Sequence, residues 1–341
     1  MPAPIRPVDE HGFPIPTKFE DWPRGGDDEP RRPRRSIFQR MGRWKWLLLL
    51  LVPGLLFGRQ LVDLGRDIVA GFQLHRAEEN LDAGNLPKAL AHANRAIDWE
   101  PNPARRAAAL LLRAQIHTEM QNLDGSIRDC DEAIALLNDD KPLHKSSLVA
   151  AKIYGLRGWV NERLAHHREA LGDCKAALEY CPPGSPDEHA NLLNTRAYIC
   201  ALSGTELETG LQDIEQAMRE VGENCEYLDT RAYLHFRLGK YDVALQEMQA
   251  AIRMMDQQRM GLQLDWNPEF IRGRPVDEYA LAREKKVIEQ NLAVMYHHRG
   301  EIYQKLAETH KDQDAASFKK NSDADFQRAA EYGFDPKNGV L

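Results

Sequence analysis

The sequence predicts an all-α solenoid, and three observations carry that prediction. A dipeptide of Arg and a small residue recurs in matching context at Arg76-Ala77, Arg113-Ala114, Arg157-Gly158, Arg196-Ala197, Arg231-Ala232 and Arg299-Gly300. A second small residue follows 19 positions after the first in four of these units, at Ala96, Ala133, Ala177 and Ala251; Ala217 needs one inserted residue and Ala329 needs ten. Between the two, each unit reads as helix, short turn, helix. Self-similarity with a period near 34–44 residues describes a stack of small units that cover one another's apolar faces.

Taken in order, residues 1–43 come first. Eight of the 19 prolines fall by residue 33, charges of both signs are mixed, and no apolar period is visible. Such a stretch cannot bury enough surface to offset its ordering entropy, so a disordered tail is expected. Charge is unevenly placed. Residues 1–30 carry a net −4, residues 31–45 carry seven Arg and Lys and no acid, and the rest carries −10 within a total of −7. An acidic body excludes nucleic acid as the main partner, because phosphate neutralisation needs a basic face.

The uncharged run from Trp46 to Gly58 is 13 residues, about 20 Å as a helix against roughly 30 Å of hydrocarbon. Trp44 and Trp46 suit a headgroup interface, and Lys45 and Arg59 can snorkel. Residues 44–62 are therefore expected to be one uncleaved membrane helix. A cleaved signal peptide and a soluble buried helix are the competing readings. The positive-inside rule puts the Arg-rich tail in the cytoplasm and the repeats across the membrane, on a single-pass cell-membrane protein.

Residues 63–258 hold five units, with clean ones at 70–102, 107–139, 151–183 and 225–257 and an irregular one at 190–222. Turns carry Gly84-Asn85 and Gly239-Lys240, and Pro101 and Pro182 close second helices. Residues 259–276, with Trp266, Pro268 and Pro275, read as an inserted loop that packs over a groove end or touches a partner. Residues 277–341 read as a long helix from Asp277 to about Glu308 and a last irregular unit, with a long loop at about 309–321.

On these residues the chain resembles the tetratricopeptide repeat family over roughly 70–340, with "LDTRAYLHFRLGKYDVALQEMQAA" at 228–251 as its strongest unit. The resemblance implies about six repeats in a right-handed superhelix whose concave face is built by the first helices. It departs from the family where the usual aromatic at the start of the first helix is Leu110, Tyr154 or Leu228, and the family's basic carboxylate clamp is not reproduced.

The recurring Arg has a candidate partner. Four residues before the later Ala stands an acid in five units: Asp129, Asp173, Asp213, Glu247 and Asp325; the first unit has His92. Ion pairs between helices are expected for Arg113, Arg157, Arg196 and Arg231 with Asp129, Asp173, Asp213 and Glu247, either within a unit or to its neighbour. Cys130 and Cys174 share a slot that elsewhere takes Ala93, Ile214, Met248 or Phe326, so they read as core residues; five scattered cysteines make no disulfide framework, although individual pairings stay open.

No phosphate loop, dinucleotide fingerprint, nucleophile elbow or zinc pattern is present. His166-His167 and His297-His298 are adjacent and point about 100° apart on a helix, so they do not chelate as i, i+4 pairs would. No catalysis, cofactor or metal is expected. What remains is binding. Asn191, Asn194 and Tyr198 form a stripe, Glu226, Asp229 and Tyr233 repeat it one unit later, and Trp159 with Arg163 precede it. This face is expected to hold a peptide or helix of another protein, with sealing of the unit interface as the competing role for the aromatics. The functional expectation is a membrane-anchored, non-catalytic scaffold. The alternative is an accessory subunit of a membrane enzyme or of a secretion or assembly machine that holds a substrate chain.

Overall fold

The computed structural model describes residues 43–139, 147–265, 278–310, 313–335 and 339–340. The expected tail falls outside them up to residue 42, and so does the insertion from 266 onward. Two units are distinguished, residues 1–61 and 62–341. Among the described residues there are twelve helices and one short two-stranded ladder. They are α1 Arg43–Asp82, α2 Leu86–Trp99, α3 Pro103–Glu119, α4 Leu123–Asp139, α5 Leu148–Arg163 and α6 His167–Tyr180. There follow α7 Pro186–Ser203, α8 Leu207–Val221, α9 Cys225–Arg237, α10 Tyr241–Asp265, α11 Glu278–Thr309 and α12 Gln313–Glu331. The ladder pairs Phe334 with Val340 and Asp335 with Gly339, antiparallel. Among the described residues no helix is long and apolar enough to cross a membrane.

Helix starts follow from capping. Asn102, Ser147 and Asn224 accept hydrogen bonds from the first-turn amides of α3, α5 and α9, and Pro103 and Pro186 occupy first-turn positions where no N–H is needed. The turns share one device. Seven residues after the small residue of the first helix, the backbone is left-handed in five units: Gly84, Gln121, Ala165, Gly204 and Gly239 have φ between +59° and +78°. In four of them the next amide reaches back five residues, as in Asn85 to Asn80 and His166 to Asn161, which is the Schellman closure. The fourth unit differs: Gly204 bonds only to Cys200 O and Glu206 is a second left-handed residue, which is where its one extra residue is absorbed.

The core is a chain of linked clusters. Ala77 of α1 packs with Ala89, Ala93, Leu112 and Ile116. Ala114, Cys130 and Ala133 pack with Ile153 of the next unit. The largest cluster joins α7 to α12 through residues such as Ile214, Leu234, Met248, Leu292 and Ile302. The recurring small residue is what lets the helices of a pair close. A Cβ on Gly158 would lie 3.1–3.2 Å from Ala170 O, Asp173 Cβ and Cys174 Sγ, and one on Gly300 would meet the Phe326 ring at 2.7 Å. Phe326 is the largest residue in its slot, and the unit that carries it has Gly where most others have Ala. All five cysteines are free, and burial pushes the thiols of Cys130, Cys174 and Cys200 up to about 12, so they behave as small apolar residues.

Two boundaries differ from the sequence reading. α10 continues through Asp265, so residues 259–265 are helix and not loop; Leu262 packs on the large cluster and Arg259 bonds the Tyr332 hydroxyl at 2.5 Å. The ten extra residues of the last unit do not make a loop over 309–321 either. They lengthen both of its helices, α11 past Gly300 and α12 before Ala329, so that only residues 310–312 connect them.

The turn device generates a stability prediction. Ala165 is exposed, with φ of +59°, and a Cβ in that region is disfavoured. Ala165→Gly is expected to raise stability by about 1 kcal/mol, read as a higher urea midpoint at an unchanged slope; a lower midpoint would show that the turn is not strained.

Candidate protein-interaction face

First helices of successive units touch one another, α3 with α5, α5 with α7, α7 with α9 and α9 with α11, whereas the second helices make no comparable contacts. The first helices therefore form one continuous inner face, and their side chains are set by what fixes each helix against its partner.

That fixing is electrostatic as well as steric. Arg113 donates from Nε and Nη2 to both oxygens of Asp129 at 2.9 and 2.6 Å, Arg157 to Asp173 at 3.0 and 2.6 Å, and Arg299 to Asp325 at 2.6 and 2.8 Å; Arg196 makes the same fork to Asp213. All four forks lie within a unit. The acids are buried and the arginines about one-fifth exposed or less. Bidentate, charge-assisted bonds of this kind are among the stronger polar contacts, and those from Asp129 and Asp213 hold the pKa values of Arg113 and Arg196 above the ordinary arginine value. In the fifth unit Glu247, one methylene longer, loses the fork. Arg231 Nε lies 2.9 Å from its Oε1, but Glu247 Oε2 has no hydrogen-bond partner, and burial raises this carboxyl above its usual value. In the first unit Arg76 turns to Glu79, and His92 pairs with Gln73.

Two further contacts extend the pattern, and sequence reading missed both. One helical turn after the Arg, a second polar residue faces the same acid: Asn161 Nδ2 is 3.0 Å from Asp173, His117 3.7 Å from Asp129 and His235 3.8 Å from Glu247. The i, i+4 spacing from Arg was the signal available. The Arg also reaches the preceding unit, where Arg113 meets Asn94 at 2.9 Å and Arg157 meets Asp131 at 2.6 Å. Asn94 and Asp131 stand two residues before Ala96 and Ala133. The corresponding position before Arg196 holds Lys175, which is exposed, and the described polar partner of Arg196 is Asp213 alone.

The expected binding residues separate into two groups. Trp159 stays 39% exposed on α5, with the Arg163 guanidinium 5.1 Å from its ring centroid and Arg163 bonded to Gln121 at 2.8 Å. Asn194 is half-buried on α7 with no partner for its Oδ1. Trp159 is thus exposed and Asn194 Oδ1 unpartnered, with Arg163 held over the indole by Gln121. The others are engaged. Asn191 accepts from the Tyr227 hydroxyl at 3.0 Å, and Glu226 accepts from Asn291 at 2.9 Å. Asp229 and Tyr233 are 7% and 6% exposed, covered by His298 of α11, whose Nδ1 lies 2.9 Å from Asp229 and whose ring stacks on Tyr233 at 4.0 Å. Tyr198 lies 6.1 Å from the same imidazole, and burial pushes its phenol well above the usual range. In this arrangement Asp229 and Tyr233 are closed to any partner.

No family model and no curated protein matches the chain. Among solved structures it is similar to a tetratricopeptide repeat protein from Parabacteroides merdae, at 16% identity and a TM-score of 0.47, over 79% of this chain and 95% of that one. It is similar to PilW, a type IV pilus biogenesis factor, at 14% and 0.49, over 79% and 96%. It is also similar to YrrB, a repeat protein with an unusual peptide-binding site, at 14% and 0.41, over 57% and 90%.

Two predictions follow from the polar contacts. Asp213→Ala leaves Arg196 half-buried without its carboxylate and is expected to cost about 2–3 kcal/mol by urea unfolding, while the paired change Arg196→Met with Asp213→Leu recovers most of that loss. The second concerns pH. Burial holds the His117 and His235 imidazoles below their ordinary value of 6.5. The unfolded chain therefore takes up these protons first, and the stability tied to the neutral rings is complete above that value and lost as pH falls through it toward the folded pKa. His117→Asn with His235→Asn, copying Asn161, is expected to flatten the fall of the urea midpoint between about pH 7 and pH 5; an unchanged slope would place that titration elsewhere.

Proposed function

We propose that this protein is a non-catalytic, membrane-anchored scaffold that holds a segment of another protein on the face made by its first helices. The observation that carries the reading is the continuity of that face, together with the exposed Trp159 under the Arg163 guanidinium on α5 and the partnerless Asn194 Oδ1 on the neighbouring α7. A rigid aromatic with a cation over it is the kind of anchor that interfaces concentrate, and an unpaired amide oxygen at half-burial gains from a donor supplied by a partner. Anchoring rests on the sequence alone, on the apolar run within 44–62 and the seven basic residues just before Trp46. The tail then lies on the cytoplasmic side and the repeats beyond the membrane.

A photo-crosslinking residue placed at Trp159 in the full-length protein, expressed in its native membrane, is expected to capture one defined partner. The same residue at Arg168, which is exposed on the second helix α6, is expected to capture little. Equal capture at both positions would remove the inner face as the docking surface, and recovery of the protein in the soluble fraction would remove the anchor.

A further inference from the structure

We infer that the first turns of α11 are a releasable strap that regulates access to the inner face. The inference rests on the reading of that face as a docking surface, and its first measurement needs no partner. α11 meets α9 through His298 on Asp229 and Asn291 on Glu226. Fifteen residues before His298, Arg283 donates to Asp82 of α1 at 2.5 Å, across 201 residues of sequence. Fifteen residues of helix span about 22 Å, so one straight element runs from the fifth unit back to the first. Its two ends are held differently. From Ile288 onward the helix is anchored by buried Leu292 and Met295 in the large cluster. Residues 282–287 are exposed, Val287 included. Their described tertiary contact is the Arg283 side chain, which helps line a recess of about 430 Å³ with Glu78, Asp82, Leu112 and Glu119.

The chemistry makes that contact a latch. Arg283 pairs with Asp82, Glu78 and Glu119 line the same recess, and both members of the pair are more than half exposed. A pair in that setting is weak and screened by salt, so it biases a position without locking it. Release would widen the recess that Arg283 lines with Leu81, Leu112, Gln115 and Glu119 of α1 and α3, while the apolar half of α11 stays seated.

Hydrogen exchange over residues 281–290 of the full-length protein is the test. Arg283→Glu and Asp82→Arg are each expected to speed exchange there by about fivefold, as is raising salt from about 0.05 M to 0.5 M, with α9 and α10 unchanged. The double change Arg283→Glu with Asp82→Arg is expected to restore slow exchange. Unchanged exchange in both single variants overturns the strap, as does a double variant that stays fast. A crosslinker at Gln115 then tests regulation, with partner yield expected to rise about fivefold in Arg283→Glu. Faster exchange with no rise in yield overturns regulation. Absence of capture at Trp159 in the unaltered chain would instead count against the docking surface itself.

Discussion

A guanidinium gripped by both oxygens of a carboxylate across a helix pair is the contact on which the array depends. Small residues let the two helices approach, but apolar attraction is non-directional, so burial alone does not fix the register against a slip of one turn. The same slip would move Arg113 about 5.4 Å from Asp129 and strand two charges in a half-buried setting, where an unpaired ion is costly. Steric closeness and ionic register therefore work together. Where the fork is imperfect, at Glu247, a raised carboxyl pKa and an unpartnered oxygen mark the mismatch.

Repetition decided what could be read from the sequence. The Arg and acid positions were legible because each recurred at a fixed offset, and an antiparallel pair must bring such offsets together. The size match of Gly300 and Phe326 was half legible, since the slot was visible but its opposite wall was not. Residues 259–265 misled because Gly261 and the nearby prolines resemble a loop, while the contacts of Leu262 with the large cluster and of Arg259 with Tyr332 are tertiary. The last unit misled in a similar way: ten extra residues suggest a loop when only helix starts are counted, and two longer helices satisfy the same count.

The candidate face was less legible for a related reason. Asp229 and Tyr233 occupy the positions that Asn194 and Tyr198 occupy one unit earlier, so sequence alone treats them alike. The cover that separates them is His298, 69 residues on, and no period announces it. Burial of an acid by an imidazole from another element turns a position of recognition into a position of cohesion. The face left open is displaced toward α5 and α7, where Trp159 is exposed and Asn194 Oδ1 has no partner.

Successive units are joined in more than one way. Arg113 and Arg157 each bind their own unit and the one before it, so three successive units are riveted by shared cations. At the next seam the corresponding position holds the exposed Lys175, and Arg196 binds Asp213 of its own unit. That seam is closed instead by apolar packing, with Leu171 and Leu178 of α6 on the large cluster, and by the Lys152–Glu188 pair between α5 and α7 at 3.7 Å.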